Sequence, residues 1–317
     1  MPAPTSTASA FAAVTSGSLP QSLPERQDVY KPTLAGADMR AKRYRNPLAV
    51  HEREALPMWR GDFDWAPSDA DPAGSLPGEV ADAFAASMPA RYGVLFDPRT
   101  IGRHAAIAHR RTGRAAHAEV WRSLPDGSAA LCIVAEDRPG LLSAIAAALV
   151  LHKLDVLTAL VFSRVLPGGE GEAVDLVWVR RANPVDSDAI GADEAQSIGE
   201  VLSAIVSGKI SIEQIAAQAG SLPKADDASV LVRFDDVDDS GFAALMVEAP
   251  DRPGMLLTIA FALFQQGAQI VRSLVRTAAG RAFNRFELAE FSGGPLSLER
   301  REQIRATVQA ALALSDP

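Results

Sequence analysis

Apolar and polar positions follow the same succession of rhythms in two stretches of the chain, 114 residues apart. Residues 116–122, and again Val230, Val232 and Phe234, carry the two-residue alternation of a half-buried strand. Each run meets a turn, at Leu124-Pro125-Asp126-Gly127 and at Asp238-Asp239-Ser240-Gly241, and return strands are predicted over 129–135 and 242–249. The rhythm then changes to that of a helix. Leu141, Leu142, Ile145 and Leu149 form one apolar stripe, and Met255, Leu256, Ile259 and Leu263 form its counterpart. Second hairpins follow, 156–165 with 172–181 and 270–278 with 281–290, and each is succeeded by a helix, over about 187–207 and 297–314. A short helix is predicted at 212–219, and two more, 79–88 and 98–109, precede the first repeat.

Each repeat thus reads hairpin, helix, hairpin, helix. Three residues follow the last helical position, so no closing strand is expected, and the opening strand must fill the sheet edge beside the strand that enters the first helix. The predicted fold class is α+β: two tandem, permuted ferredoxin-like domains, each a four-stranded antiparallel sheet with two helices on one face. In the unpermuted alternative, residues 230–234 complete the first copy and leave the second a strand short; the equal spacing of the opening turns favours the permuted form. The division expected is a low-order segment at 1–77, a helical lead-in at 78–114, domains at 115–208 and 229–317, and a linker at 209–228.

The junction between the second strand and the first helix is the same tetrapeptide in both copies, Asp137-Arg138-Pro139-Gly140 and Asp251-Arg252-Pro253-Gly254. Its aspartates stand where an N-cap carboxylate accepts from free backbone N–H groups, and its prolines suit a first helical turn that needs no donor. Its glycines let the main chain approach another group. An unobstructed helix start presents N–H groups and a partial positive charge to a carboxylate or phosphate; a good cap without a ligand is the plainer reading of the same residues. The copies also differ. Gly267 stops the helix in the second, and Lys153 at the matching place in the first predicts a different end; Asn284 stands in the second where the first has Asp175.

Length and charge narrow the class further. A chain of 317 residues suits about two domains of ~150 residues. Its net charge of −8 argues against general nucleic-acid binding, and the basic runs Arg40, Lys42, Arg43, Arg45 and Arg110, Arg111, Arg114 read as solvated faces. Cys132, the single cysteine, lies in an apolar strand, so neither a disulfide framework nor a zinc site is expected, and a cytoplasmic setting is the simplest one. The longest apolar stretch, 141–151, falls short of the ~20 residues that cross a bilayer. In the N-terminal segment, Tyr44, Trp59, Phe63 and Trp65 are expected to dock on the rest of the chain or on a partner. His104, His109 and His117 have poor spacing for one metal and no acidic companion nearby.

The segments Glu136-Asp-Arg-Pro-Gly-Leu-Leu142 and Pro250-Asp-Arg-Pro-Gly-Met-Leu256 resemble the first turn of ACT domains, small regulatory modules that bind amino acids. Together with Gly171-Glu-Ala-Val-Asp175 and the run from Met88-Pro-Ala-Arg-Tyr92 to Ile101-Gly-Arg-His104, residues from about 80 to 314 look like the C-terminal regulatory half of the bifunctional uridylyltransferase/uridylyl-removing enzymes, which modify the PII nitrogen-signalling protein. The catalytic signatures of that family are missing. Gly74-Ser75 lies between prolines with no strand before it and no paired aspartates after it, and none of the five histidines is followed by aspartate.

The resemblance implies a non-catalytic regulatory protein without cofactor or metal, binding an amino acid and signalling to a protein partner in nitrogen or amino-acid metabolism. The ligand site it implies comprises Asp137, Arg138, Pro139, Gly140 and Leu141 with Thr158 and Ser163, and Asp251, Arg252, Pro253, Gly254 and Met255 with Arg272 and Thr277. No nucleic acid or membrane is expected, and pairing of the two domains with each other or across a homodimer stays open. The alternatives are a ligand-free scaffold or oligomerisation module and, less favoured, a residual PII uridylyltransferase.

Overall fold

The computed structural model of the chain describes residues 78–183, 188–219, 229–235 and 242–313. The aromatic residues at 44–65 and the expected turn at 238–241 lie outside the described residues. Among the described residues, a lead-in of three helices, α1 (Gly78–Ser87), α2 (Ala90–Leu95) and α3 (Pro98–Arg110), comes first. The first repeat is β1 (Ala116–Ser123), β2 (Ala129–Glu136), α4 (Leu141–Leu151), β3 (Leu154–Val165), β4 (Gly171–Arg181) and α5 (Ala192–Val206). After α6 (Ile212–Ala219) the second repeat runs β5 (Leu231–Asp235), β6 (Ala243–Pro250), α7 (Met255–Gln265), β7 (Ala268–Ala278), β8 (Arg281–Glu290) and α8 (Leu298–Ala313). The short helix α2 was not anticipated, because six residues are too few to show a period.

The eight strands among the described residues join one antiparallel sheet in the order β1-β2-β4-β3-β7-β8-β6-β5. Each repeat supplies four neighbouring strands, with its opening strand at the outer edge beside the strand that enters the first helix. Strands β3 and β7 close the seam between the repeats through Thr158↔Arg276, Ala159↔Val275 and Leu160↔Leu274. Leu160 and Leu274 are equivalent positions 114 residues apart, so a local two-fold axis passes between them. The repeats therefore pair with each other along the chain, edge to edge.

Helices α4, α5, α7 and α8 cover one face, and their stripes make a continuous core with that face: Leu142, Ile145 and Leu149 of α4 and Leu256, Ile259 and Leu263 of α7 are all buried there. Burial of each such side chain contributes about 1.5–3 kcal/mol. The other face of the first repeat is covered by α1–α3, where Phe84, Tyr92, Phe96 and Ile101 meet Trp121, Phe162 and Trp178. His104, fully buried in this layer, has its Nδ1 2.5 Å from the Tyr92 hydroxyl, and burial lowers its pKa to about 3.

Two expectations about the first helices are corrected. Helices α4 and α7 end alike: Lys153 takes the left-handed conformation at φ 54° that Gly267 takes at φ 67°. In both, the backbone N–H of that residue donates 2.9 Å back into the last turn, to Val150 O and Phe264 O. The aspartates at the helix starts are not N-caps. That position belongs to Gly140 and Gly254, without a side-chain cap bond. Among the described residues, no helix is long and apolar enough to cross a membrane.

Candidate functional site

The tetrapeptide is a type II turn that delivers the chain into the helix. Leu141 N–H donates to Arg138 O and Met255 N–H to Arg252 O, each at 3.2 Å, closing turns with proline second and glycine third. Gly140 at φ 80°, ψ 2° and Gly254 at φ 78°, ψ 0° have the left-handed geometry which that third place requires. The aspartates anchor the turn by their backbone: Asp137 N–H donates to Gly171 O (3.0 Å) and Asp251 N–H to Gly280 O (2.9 Å). Along α4 the first helical bond is Ala144 N–H to Gly140 O at 3.0 Å, which leaves the N–H groups of Leu142 and Ser143 at the open start.

The two arginines of the motif line the cavities beside their turns and also bond to the second helix. Arg138 Nη1 donates to Val206 O (2.7 Å) and Arg252 Nη2 to Leu312 O (2.6 Å), at the C-terminal ends of α5 and α8. There the cation meets the negative end of each helix dipole and satisfies a terminal carbonyl. These bonds tie each turn to the second helix of the same repeat.

Each turn opens on a cavity at the seam. The first, about 440 Å³ when space open to solvent is counted, is lined by the 137–143 segment, Ser163 on β3 and Asp175 on β4, and across the seam by Phe264 of α7 and Gln269 of β7. The second, about 390 Å³, is lined by Asp251, Gly254, Met255, Thr277 and Asn284 and, across the seam, by Val150 and Asp155. Sheet alternation explains which predicted residues reach the cavities. Ser163 and Thr277 fall on the helix-covered face, whereas Thr158 and Arg272 point to the other side. Thr158 is fully buried and donates to Leu157 O at 2.8 Å, and Arg272 pairs with Glu287 at 2.6 Å.

The cavities are equivalent in place and unequal in chemistry. Asp175 and Asn284 match by register, since each opposes an equivalent valine, Val161 or Val275. Ser163, 5% exposed, lines the first cavity with a hydroxyl that has no hydrogen-bond partner. In the second, Asn284 is 2% exposed and its Oδ1 has no partner. Gly140 lies directly under Phe264: a Cβ placed on it would come within 2.7 Å of two ring carbons. Beside the second cavity Arg180, from the end of β4, crosses the seam to two of its lining residues. Its Nη2 is 2.8 Å from Asp155 Oδ2 and 3.0 Å from Asp251 Oδ2. Burial raises the Asp155 carboxyl pKa, the Arg180 hydrogen bond opposes that rise, and the charge of Asp251 adds to it.

Sequence reasoning missed Asp155, Arg180, Phe264 and Gln269 because each reaches a turn of the other repeat. Applying the 114-residue offset to β3 and β7 as facing strands would have found them. Among the described residues there is no cluster of three or more His, Cys, Asp or Glu side chains able to hold a metal.

The geometry defines a tandem-repeat α+β protein with two small cavities on the seam between its halves. No protein-family model matches the chain. Its relatives are bifunctional uridylyltransferase/uridylyl-removing enzymes, to which it is similar over part of their length. The one from Novosphingobium aromaticivorans is 26% identical over 178 residues, 55% of this chain and 19% of that protein. For the Gluconobacter oxydans enzyme the figures are 26% over 253 residues, 75% of this chain and 26% of that one, and for Rhodopseudomonas palustris 26% over 187 residues, 57% and 19%. The chain therefore spans about a fifth to a quarter of the length of the curated relatives it matches.

Proposed function

We propose that this chain is a non-catalytic regulatory protein whose two permuted ACT-like domains bind an amino acid at the seam and pass the event to a protein partner in nitrogen regulation. The observation that carries this reading is the build of the first cavity. It combines an open helix start, the unanswered Ser163 hydroxyl and a buried carboxylate, Asp175, with an apolar wall contributed by the other repeat. The N–H groups of Leu142 and Ser143 suit a ligand carboxylate, Asp175 suits its ammonium group, and Phe264 and Ile270 suit an apolar side chain. Such a ligand touches both repeats, so it favours one packing of the seam over others and transmits a change through that difference in affinity. The strand order of each half, a ferredoxin-like sandwich with its last strand moved to the front, supports the ACT-like assignment, and the partial match to uridylyltransferase/uridylyl-removing enzymes supports the regulatory setting. Lacking both the Gly-Ser signature with its paired aspartates and a His-Asp pair, the chain is assigned no catalytic step.

Thermal-shift titration of the purified chain against the twenty common amino acids tests the reading. A ligand at 100 times its Kd adds about 2.7 kcal/mol of stability, which raises Tm by roughly 5–10 °C in a domain of this size. No shift with any of them refutes it. A second reading, a ligand-free scaffold, is favoured by the Arg180 bridge, which holds the seam without a ligand. It predicts a partner that copurifies whether or not amino acids are present.

A further inference from the structure

The sheet face turned away from α4, α5, α7 and α8 changes character at the seam. Over the first repeat it lies beneath α1–α3, whose cluster takes in Leu274 of β7 and, among the described residues, nothing from β5, β6 or β8. Beyond Leu274 that face still has a buried patch. Phe242, Val271 and Ala289 pack together there at 3, 5 and 2% exposure, and the side chain of Glu287, two residues from Ala289 on β8, is 4% exposed. Phe283 and Leu231, on the same face at the other end of the strands, are 39 and 49% exposed. A sheet face left to solvent keeps exposure of that second kind, so the Phe242 patch has a cover that Phe283 lacks.

We propose that residues 59–71 of the same chain lie across this face, with Phe63 and Trp65 on the Phe242 patch, and do for the second repeat what α1–α3 do for the first. The other stretches outside the described residues, 184–187, 220–228, 236–241 and 314–317, contain no aromatic residue, and 236–241 has the β5–β6 hairpin to close. Charge favours the same segment. The face carries Arg233, Arg272, Arg276, Arg281 and Arg285 against Asp235, Glu248 and Glu287, an excess of cations. Residues 59–71 carry the opposite excess, Asp62, Asp64, Asp69 and Asp71 against Arg60. In Asp62-Phe63-Asp64-Trp65 acid and aromatic residues alternate at the period of an extended chain, so the rings turn to one side and the carboxylates to the other. Arginine stems are long enough to rise past an apolar patch and meet those carboxylates.

The chain also reaches. Helix α1 sits over β3, the seam strand of the first repeat, with Ser87 Oγ 3.2 Å from Arg164 Nη1 and the Phe84 ring 4.6 Å from the same guanidinium. Because β3 and β7 are antiparallel, the Arg164 end of β3 lies at the Val271 end of β7. Strands β7, β8 and β6 follow β3 in order, which puts β6 about 14 Å beyond it. Helix α1 adds at most about 15 Å. Residues 66–78, fully extended, span up to about 43 Å, more than both together. While the segment lies there, a second chain cannot use this face.

Thiol alkylation of the full chain tests the proposal, since the single native cysteine, Cys132, is buried. Ala289→Cys is expected to react about 100-fold more slowly than Phe283→Cys, and adding Phe63→Ser with Trp65→Ser should speed the Ala289→Cys reaction by about 10-fold or more. Similar rates at Ala289→Cys and Phe283→Cys, or a rate at Ala289→Cys that ignores the loss of both rings, overturn it. Should the combined variant fail to fold, benzoylphenylalanine in place of Phe63 keeps a ring at that position. Irradiation is then expected to join it to residues 242–246 or 285–289 in a product of monomer mass. A product of dimer mass, a junction elsewhere on the chain, or no junction overturns the proposal.

Discussion

Gly140→Ala is expected to destabilise the protein by an amount that depends on a residue of the other repeat. At φ 80° an L side chain costs about 1–2 kcal/mol, offset by about 0.4–1 kcal/mol because alanine restricts the unfolded chain. The larger contribution is steric. The new methyl would stand 2.7 Å from two ring carbons of Phe264, against a normal carbon–carbon contact of ~3.5–4.0 Å, so the ring or the turn must move. Overpacking of that kind costs about 1–3 kcal/mol, which brings the substitution to about 2–4 kcal/mol in the wild-type background. With Phe264→Ala already in place, only the backbone contribution, about 1 kcal/mol, should remain. Urea unfolding of the four proteins of this cycle measures the difference, provided the m-values agree. A coupling of 1–3 kcal/mol is expected; Gly140→Ala costing the same in both backgrounds, within about 0.5 kcal/mol, would refute the close approach across the seam.

Protonation of His104 should make the protein acid-sensitive. Its folded pKa of about 3 lies below the unfolded value of 6.5, so its contribution is complete above pH 6.5 and is lost as pH falls from 6.5 towards 3; by pH 4.5 the loss is about 2–3 kcal/mol. Stability curves of wild type and His104→Gln should converge by that amount over this interval, and parallel curves would show that the imidazole does not titrate as placed. Lys153→Gly should raise stability by up to about 1 kcal/mol, since Lys153 sits at φ 54°, where its counterpart is Gly267. A thermal midpoint that falls instead would mean that the lysine side chain outweighs its backbone strain.

The fold was legible because its signals are local. Alternation at 116–122, an apolar stripe from Leu141 to Leu149 and turn residues at Leu124-Pro125-Asp126-Gly127 each need only neighbouring residues, and the strand order then followed from the equal spacing of the opening hairpins. Where reading failed locally, the signal was present and weighed wrongly. Pro139-Gly140 is the middle of a type II turn, and glycine at its third place pushes the helix start to Leu141, three residues further on than an N-cap at Asp137 allows. The placement of Thr158 and Arg272 away from the cavities depends on bulges in β3 and β7, between Val156 and Thr158 and between Ile270 and Arg272, after which the side chains change face. No local pattern joins Arg180 to Asp251 or Gly140 to Phe264. Those contacts exist only because the two repeats place β3 and β7 side by side.

That seam is where a small ligand has most leverage. Within the first repeat β3 pairs with β4 from Leu154↔Arg181 to Val165↔Gly171, whereas between repeats the paired positions are Thr158, Ala159 and Leu160 with their partners. The backbone ladder across the seam is short, so the relative position of the repeats rests largely on side chains: α4 against α7, Phe264 over Gly140, and Arg180 between Asp155 and Asp251. Coupling between a binding site and a distant surface typically amounts to 1–3 kcal/mol, the scale of a few such contacts. On the reading proposed above, a ligand at the seam would add its contacts to these few. A seam held by so short a ladder can change its packing without unfolding either repeat, which a rigid sheet with a long ladder across its middle could not do.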